Sequence, residues 1–198
     1  MSEPKSKSSL GFLTVVEYAQ FGLFGGYLVL NIAGRPLEFH CTAPIRPNRA
    51  QQILYGPTLE PYLFGEQIGQ TLLNKSRSEP LVVFTDRPPA MAVRDHVDVP
   101  VTLVLPADDS LAPRQDGERS VTSEEANTGK AWRLDSAHEG PQLVSFCMGR
   151  NRLAVASSAA GDRPLVEQRL AGLAESFDLG EPFQRIREAI EEARRGGQ

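Results

Sequence analysis

Three side chains between residues 86 and 96 are of types that do chemistry together. Asp86 ends the apolar run LVVFTD, and Asp95 and His96 follow after a short connection. Carboxylates and an imidazole are ligands for divalent metals, and either can act as a general base. In open α/β sheets, ligands bind beyond the carboxyl ends of the strands, where we expect Asp86 to lie. One of two functional hypotheses is therefore a small metal-dependent hydrolase or ligand-binding enzyme that uses Asp86, Asp95 and His96.

The competing interpretation of these three residues is structural. Asp86-Arg87-Pro88-Pro89 is an ordinary turn sequence, because Asp accepts backbone N–H bonds in turns. No second motif confirms the spacing of the three side chains. The sequence also lacks G-x-S-x-G, the phosphate-binding glycine motifs, H-E-x-x-H and paired C-x-x-C. We therefore predict no cofactor and assign no metal ligand.

A second set of side chains favours binding over catalysis. Tyr55, Tyr62 and Glu66 lie in the segment ILYGPTLEPYLFGEQ, where aromatic rings alternate with polar groups, prolines and glycines. Aromatic side chains with a polar tip suit protein interfaces and ligand pockets. The alternative is that the two tyrosines cover the sheet as part of the core. With the catalytic motifs missing, our favoured hypothesis is a non-catalytic protein–protein interaction or adaptor protein.

Two further segments extend the interaction hypothesis. Residues 107–129 are polar, charged and unpatterned, which is typical of a flexible exposed loop or linker. Near the C-terminus, Phe183, Ile186 and Ile190 form one apolar stripe of an amphipathic helix. That stripe either docks on the domain or serves as a dimer surface. We therefore expect a protein partner, with a homodimer through the C-terminal helix as one form of it.

Composition and charge exclude several classes of protein. The chain has 198 residues, 40% of them hydrophobic, and a formal net charge of −4. This apolar content suffices for a folded core, and the acidic balance disfavours a nucleic-acid binder. No apolar run reaches the roughly 18 residues of a transmembrane helix, and Glu3 and Glu17 disfavour a signal peptide. We expect a cytoplasmic protein that binds neither nucleic acid nor membrane.

Neighbouring His40 and Cys41 suggest a thiol-based site, but strand geometry argues against it. Adjacent residues of a strand point to opposite faces, so these two side chains cannot pair with each other. His40 instead shares a face with Glu38, where an imidazole–carboxylate contact is easy. We expect Cys41 and Cys147 to be buried thiols that could lie close together in space.

Periodicity along the chain predicts the elements that must position these residues. Two hairpins are expected, with turns at Gly34 and Gly149, and each is followed by a helix. The connection between 81–86 and 100–106 is just long enough for a parallel crossover. The predicted fold is α+β, or mixed α/β, with a central mixed sheet of six to seven strands built from hairpin–helix units and covered by helices near 47–74 and 163–195. The strand-like segments are 11–18, 27–32, 36–41, 81–86, 100–106, 142–148 and 152–158, with a short edge strand at 131–135.

The remaining predictions concern boundaries and glycines. Residues 1–9 are expected to be disordered, while 10–106 and 130–198 form one compact domain or two subdomains. The segment FGLFGG, residues 21–26, is expected to connect two strands. Gly65 and Gly69 lie one turn apart in a helix, where each costs about 1 kcal/mol against alanine. Close packing of that helix against the sheet would explain why both are glycine.

Overall fold

The computed structural model describes residues 8–106, 142–173 and 177–196. The loop expected at 107–129 and the edge strand expected at 131–135 lie outside the described residues. The same holds for residues 1–7 of the expected disordered N-terminus, whereas Ser9 already belongs to the first strand. The division into one domain or two subdomains stays a prediction.

Within the described residues, seven strands form one mixed sheet, and the predicted α+β fold is confirmed. The sheet order is β3-β2-β1-β4-β5-β7-β6. The strands are β1 (Ser9–Tyr18), β2 (Gly22–Asn31), β3 (Pro36–Cys41), β4 (Val82–Thr85), β5 (Val101–Leu105), β6 (Leu143–Met148) and β7 (Asn151–Ala156).

Strand pairing follows the connections that the sequence predicts. The first three strands form an antiparallel meander, and β6 and β7 form a second hairpin. β4 pairs in parallel with both β1 and β5, so the crossover expected before β5 is confirmed. The two hairpin turns use Gly34 and Gly149, both with positive φ, a conformation that glycine adopts at low cost. β7 returns antiparallel to β5 and places the second hairpin at the sheet edge.

The α-helices and the π-helix lie in or beside the two predicted regions, whereas two 3₁₀ helices lie outside them. Asn48 caps the first helix through a capping box with Gln51, in which each side chain bonds the other residue's backbone N–H. The α-helices are α1 (Arg49–Tyr55), α2 (Leu59–Pro61), α3 (Thr71–Lys75), α4 (Asp162–Arg169) and α5 (Glu181–Gly196). A π-helix spans Tyr62–Gln70, and 3₁₀ turns span Gly56–Thr58, Pro88–His96 and Ser157–Ala159.

Each face of the sheet has its own hydrophobic core. On one face, α4 and α5 pack over Phe12, Phe84 and neighbouring apolar residues. On the other face, the π-helix and the 3₁₀ helix Pro88–His96 pack over Leu13, Val83 and Leu103. The sheet therefore lies between two helical layers, and its central strands are buried on both sides, as continuous apolar runs indicate.

The π-helix explains an irregular spacing in the apolar stripe of residues 59–72. Leu63 and Ile68 are five positions apart, yet both are fully buried in the same core. A π-helix bonds residue i to residue i+5, so this spacing returns to the same face. The buried stripe then continues at Leu72 in α3.

The prediction that residues 21–26 form a connection is wrong, because Gly22–Gly26 belong to β2. A Cβ on Gly25 would lie 2.1 Å from Ile68 Cγ2, and a Cβ on Gly26 would lie 2.3 Å from Ile186 Cγ2. The π-helix and α5 thus approach the same strand from opposite faces. Glycine is required here for close helix packing, which a strand tolerates at a loss of intrinsic stability.

Gly65 and Gly69 do reflect close packing, but not against the sheet. A Cβ on Gly65 would lie 2.7 Å from the Cβ of Ala92, and one on Gly69 would lie 2.9 Å from Val93 Cγ2. Both contacts are with the 3₁₀ helix Pro88–His96. The expected partner was wrong because this short helix lies between the π-helix and part of the sheet.

The expectation that Cys41 and Cys147 are buried and close together is also wrong. Both thiols are free and exposed. Cys41 ends β3 and Cys147 lies in β6, and these strands are the two opposite edges of the sheet. Edge strands leave one side open to solvent, so strand periodicity alone does not bury every apolar position.

Candidate functional site

Tyr55 and Tyr62, two of the predicted binding residues, form a stacked pair. Tyr55 is the last residue of α1 and Tyr62 the first of the π-helix, and their ring centroids lie 4.2 Å apart with an interplanar angle of 21°. Gln67 Nε2 donates a hydrogen bond to the Tyr62 hydroxyl at 2.9 Å. Hydrogen bonding with Tyr62 is the main cause that raises the pKa of Tyr55. Both rings are half-buried, and Tyr62 also packs against the core on its face of the sheet.

The helix that ends at Tyr55 buries none of its own residues. Ile53 is 66% exposed and Leu54 is 82% exposed, although both side chains are large and aliphatic. We call Ile53, Leu54, Tyr55 and Tyr62 the tyrosine surface. The sequence pattern did not single out Ile53 and Leu54 as exposed residues. The feature that could have indicated it is an adjacent aliphatic pair in a short, mostly polar segment between Pro47 and Gly56.

Glu66, the third predicted binding residue, lies next to His96 from the predicted enzymatic set. Glu66 Oε1 is 3.6 Å from His96 Nε2, and the two side chains are 47% and 30% exposed. The close packing of the π-helix against the 3₁₀ helix brings them together. At that distance and exposure the contact is a weak surface interaction.

Asp86 lies beyond the carboxyl end of β4, where the sequence places it, and its carboxylate is hydrogen-bonded. Thr14 Oγ1 donates to Asp86 Oδ1 at 2.6 Å, and the Arg187 guanidinium from α5 donates to Oδ2. The side chain thus joins β1 and α5 at the end of β4. It also lines a cleft of about 570 Å³, whose other walls come from the end of β5, from the β6–β7 hairpin and from α5 with the residues just before it.

The structure does not gather Asp86, Asp95 and His96 into one site. Asp95 is exposed and lines a separate cavity of about 160 Å³ with Arg94 and Pro88, while His96 contacts Glu66. In the parts of the chain that the structure describes, no group of three or more His, Cys, Asp or Glu residues could hold a metal ion. The metal-dependent hydrolase has no geometric support in these residues.

The apolar stripe of the C-terminal helix is used inside the chain. Phe183, Ile186 and Ile190 are all buried against the sheet. Phe183 packs edge-on against Phe12 of β1, with 5.7 Å between ring centroids. The sequence left two alternatives for this stripe, docking on the domain or forming a dimer surface, and in the structure it docks on the domain. A homodimer through the same apolar face would have to displace it from the core.

In the ranges 8–106, 142–173 and 177–196, no helix combines the length and apolar character needed to cross a membrane. No protein-family model matches the sequence, and no curated protein matches it.

Proposed function

We propose that this chain is a non-catalytic protein-interaction or adaptor protein that binds a protein partner through the tyrosine surface. The observation that carries the proposal is α1, which exposes Ile53 and Leu54 and buries nothing. Single exposed aliphatic residues are normal on any protein, but two beside a stacked aromatic pair within one helical turn form a patch. Removing such a patch from water lowers the free energy of the complex with a partner.

The tyrosine surface is held in place before any partner binds. A seven-residue helix is too short to be stable by itself in water. Here the capping box at Asn48 stabilises its start, and the Tyr55–Tyr62 stack fastens its end to the π-helix. Preorganisation lowers the conformational entropy that is lost on binding, so more of the contact energy appears as affinity.

The surroundings of the tyrosine surface resemble the polar rim of an interface. Glu66 follows Tyr62 by four residues in the π-helix and contacts His96, and Arg49 is exposed at the start of α1. Interfaces combine an apolar and aromatic centre with polar groups around it. Tyrosine is also enriched among the residues that dominate binding energy. These features favour a protein as the occupant.

The homodimer that the sequence suggested through the C-terminal helix needs a different surface, because the apolar stripe of α5 is buried in its own chain. Self-association through the tyrosine surface is therefore one outcome of the test below. The cytoplasm stays the expected compartment.

The test compares wild type with a variant carrying Ile53→Ser and Leu54→Ser. A matched control carries Leu143→Ser and Leu165→Ser, which remove two exposed leucines from β6 and α4. Each bait is used to capture partners from an extract of the native host, and captured proteins are quantified against the bait. The partner is then purified and its Kd measured by calorimetry, while sedimentation velocity reports self-association.

We expect wild type and control to bind the same partner in stoichiometric amount. The Ile53/Leu54 variant should bind it at least about tenfold more weakly, because burying each side chain contributes roughly 1.5–3 kcal/mol and 1.4 kcal/mol is tenfold in Kd. Its thermal midpoint should stay that of wild type, since both residues are exposed. The proposal fails if neither a stoichiometric partner nor self-association is found, or if the two variants bind equally well.

A further inference from the structure

A second site lies apart from the tyrosine surface, in the cleft of about 570 Å³ that Asp86 lines. The cleft opens at the carboxyl ends of the parallel strands β4 and β5. Arg87 follows β4, and Leu105 at the end of β5 is paired with Arg152 at the start of β7. Arg150 comes from the β6–β7 turn, and Arg187 comes from α5. Three segments that are distant in sequence thus bring four arginines to one cleft.

The carboxylates of this cleft are already engaged within the protein. Asp86 accepts hydrogen bonds from Thr14 and Arg187. Asp178 accepts one from the Gly180 backbone N–H at 2.9 Å. Among the described residues, neither carboxylate forms an ion pair with Arg87, Arg150 or Arg152.

Two of the four guanidinium groups have no partner among the residues that the structure describes. Among the residues that the structure describes, Arg150 and Arg152 form no hydrogen bond or ion pair. Arg87 Nε donates to the Val15 carbonyl at 3.0 Å, which fixes its position without neutralising its charge. With four arginines and two aspartates, the lining has a formal excess of two positive charges, although the whole chain carries −4. Concentrated positive charge in a cleft attracts anions.

We infer that this cleft binds a small molecule that carries a phosphate group, with Arg150 and Arg152 as its principal ligands. A carboxylate has one charge and two oxygens, so one bidentate guanidinium can satisfy it. A phosphate group has close to two charges and three acceptor oxygens, which match two free guanidinium groups and the excess charge of the lining. Phe183, Val104 and Leu105 line the same cleft and offer apolar contacts to the remainder of the molecule. The volume is within the usual range of small-molecule sites.

The test uses the full chain and inorganic pyrophosphate as the probe, with binding measured by calorimetry at low and at high salt. One variant carries Arg150→Gln and Arg152→Gln. The matched control, Arg35→Gln with Arg77→Gln, removes the same charge from exposed positions outside the cleft. Citrate serves as a carboxylate probe of comparable charge. Thermal unfolding of each variant shows that its fold is intact.

We expect wild type and the control variant to bind pyrophosphate, with affinity that falls as salt screens the charges. The Arg150/Arg152 variant should bind at least about tenfold more weakly, because two charge-assisted hydrogen-bonding groups are lost. No binding to wild type, or equal weakening in both variants, would overturn the site. Tighter binding of citrate than of pyrophosphate would overturn the assignment to phosphate. Neither result bears on the tyrosine surface, whose test uses other residues.

Discussion

The fold uses the charge of Glu38 directly, and replacing this residue gives a pH-dependent prediction. Its carboxylate accepts hydrogen bonds from His40 Nε2 at 3.0 Å, from the backbone N–H of Arg77 at 3.0 Å and from Ser76 Oγ at 3.2 Å, and it also accepts one from Ser78 Oγ. The carboxylate therefore ties the edge strand β3 to the segment that follows α3. We predict that Glu38→Gln removes a stabilisation that depends on the ionised form.

The magnitude follows from the pKa of this carboxyl. Partial burial raises the pKa, but the hydrogen bonds from His40, Ser78, the Arg77 backbone and Ser76 together outweigh it and hold the pKa of Glu38 at about 2, against an ordinary value of 4.5. At 1.36 kcal/mol per pH unit, such a shift has a ceiling of about 3 kcal/mol. Because the side chain is 19% exposed and water screens the contacts, we expect about 1–2 kcal/mol.

The sign of the pH dependence follows from the lowered pKa. The folded state favours the ionised carboxylate, so its stabilisation is fully present above the unfolded-state pKa near 4.5. It declines below that value and is lost as the pH falls through the folded-state pKa of about 2. Wild type should therefore be more stable than Glu38→Gln at pH 7, and the two should converge in strong acid.

Urea unfolding at several pH values between 7 and 2 measures this difference. Glu79→Gln is the matched control, because Glu79 is exposed on the same segment and the substitution removes the same charge. The control should stay within about 0.5 kcal/mol of wild type. A difference between wild type and Glu38→Gln that does not change with pH would refute the role of the carboxylate. So would a Glu38→Gln variant as stable as the control at pH 7.

Two further predictions concern how the layers are held together. Gly25→Ala should destabilise the protein by roughly 1–3 kcal/mol in urea unfolding, because its Cβ would overlap Ile68. The control Gly161→Ala has open space around it and should be neutral or slightly stabilising. Equal effects of the two substitutions would contradict the close packing of the π-helix on β2. Arg94→Met should cost about 3 kcal/mol, since Arg94 Nε donates at 2.6 Å to Asp162, whose side chain is 5% exposed and would be left charged without its partner. Adding Asp162→Asn should recover most of that loss, and a double variant no more stable than Arg94→Met would show that the ion pair is not the cause.

Much of the sheet follows from local pattern. Alternation in residues 36–41 predicts both the strand β3 and the shared face of Glu38 and His40, and their contact confirms it. Continuous apolar runs predict the buried strands β4 and β5. These predictions succeed because strand periodicity is a property of the backbone, and a few neighbouring residues are enough to show it.

The glycines, cysteines and candidate sites could not be assigned in the same way. Gly25 and Gly26 have the local character of a turn. The reason for glycine at these strand positions is the close approach of two helical elements to β2, which the local sequence does not show. Cys41 and Cys147 have the local pattern of buried strand residues, but their strands form the two edges of the sheet. Asp86, Asp95 and His96 are close in sequence, yet they face different surroundings.

The sequence by itself determined most of the strands, the two hairpins and the parallel crossover, and it singled out Tyr55, Tyr62 and Glu66 as candidate binding residues. Only the tertiary structure decided that α1 stays exposed, that α5 is buried, and that Arg150 and Arg152 meet Arg187 in one cleft. The physical reason is the distance along the chain over which each feature is decided. Periodicity depends on the geometry of a few consecutive residues. Strand order and helix packing instead depend on which distant apolar surfaces bury each other, and that choice is settled only when the whole core assembles.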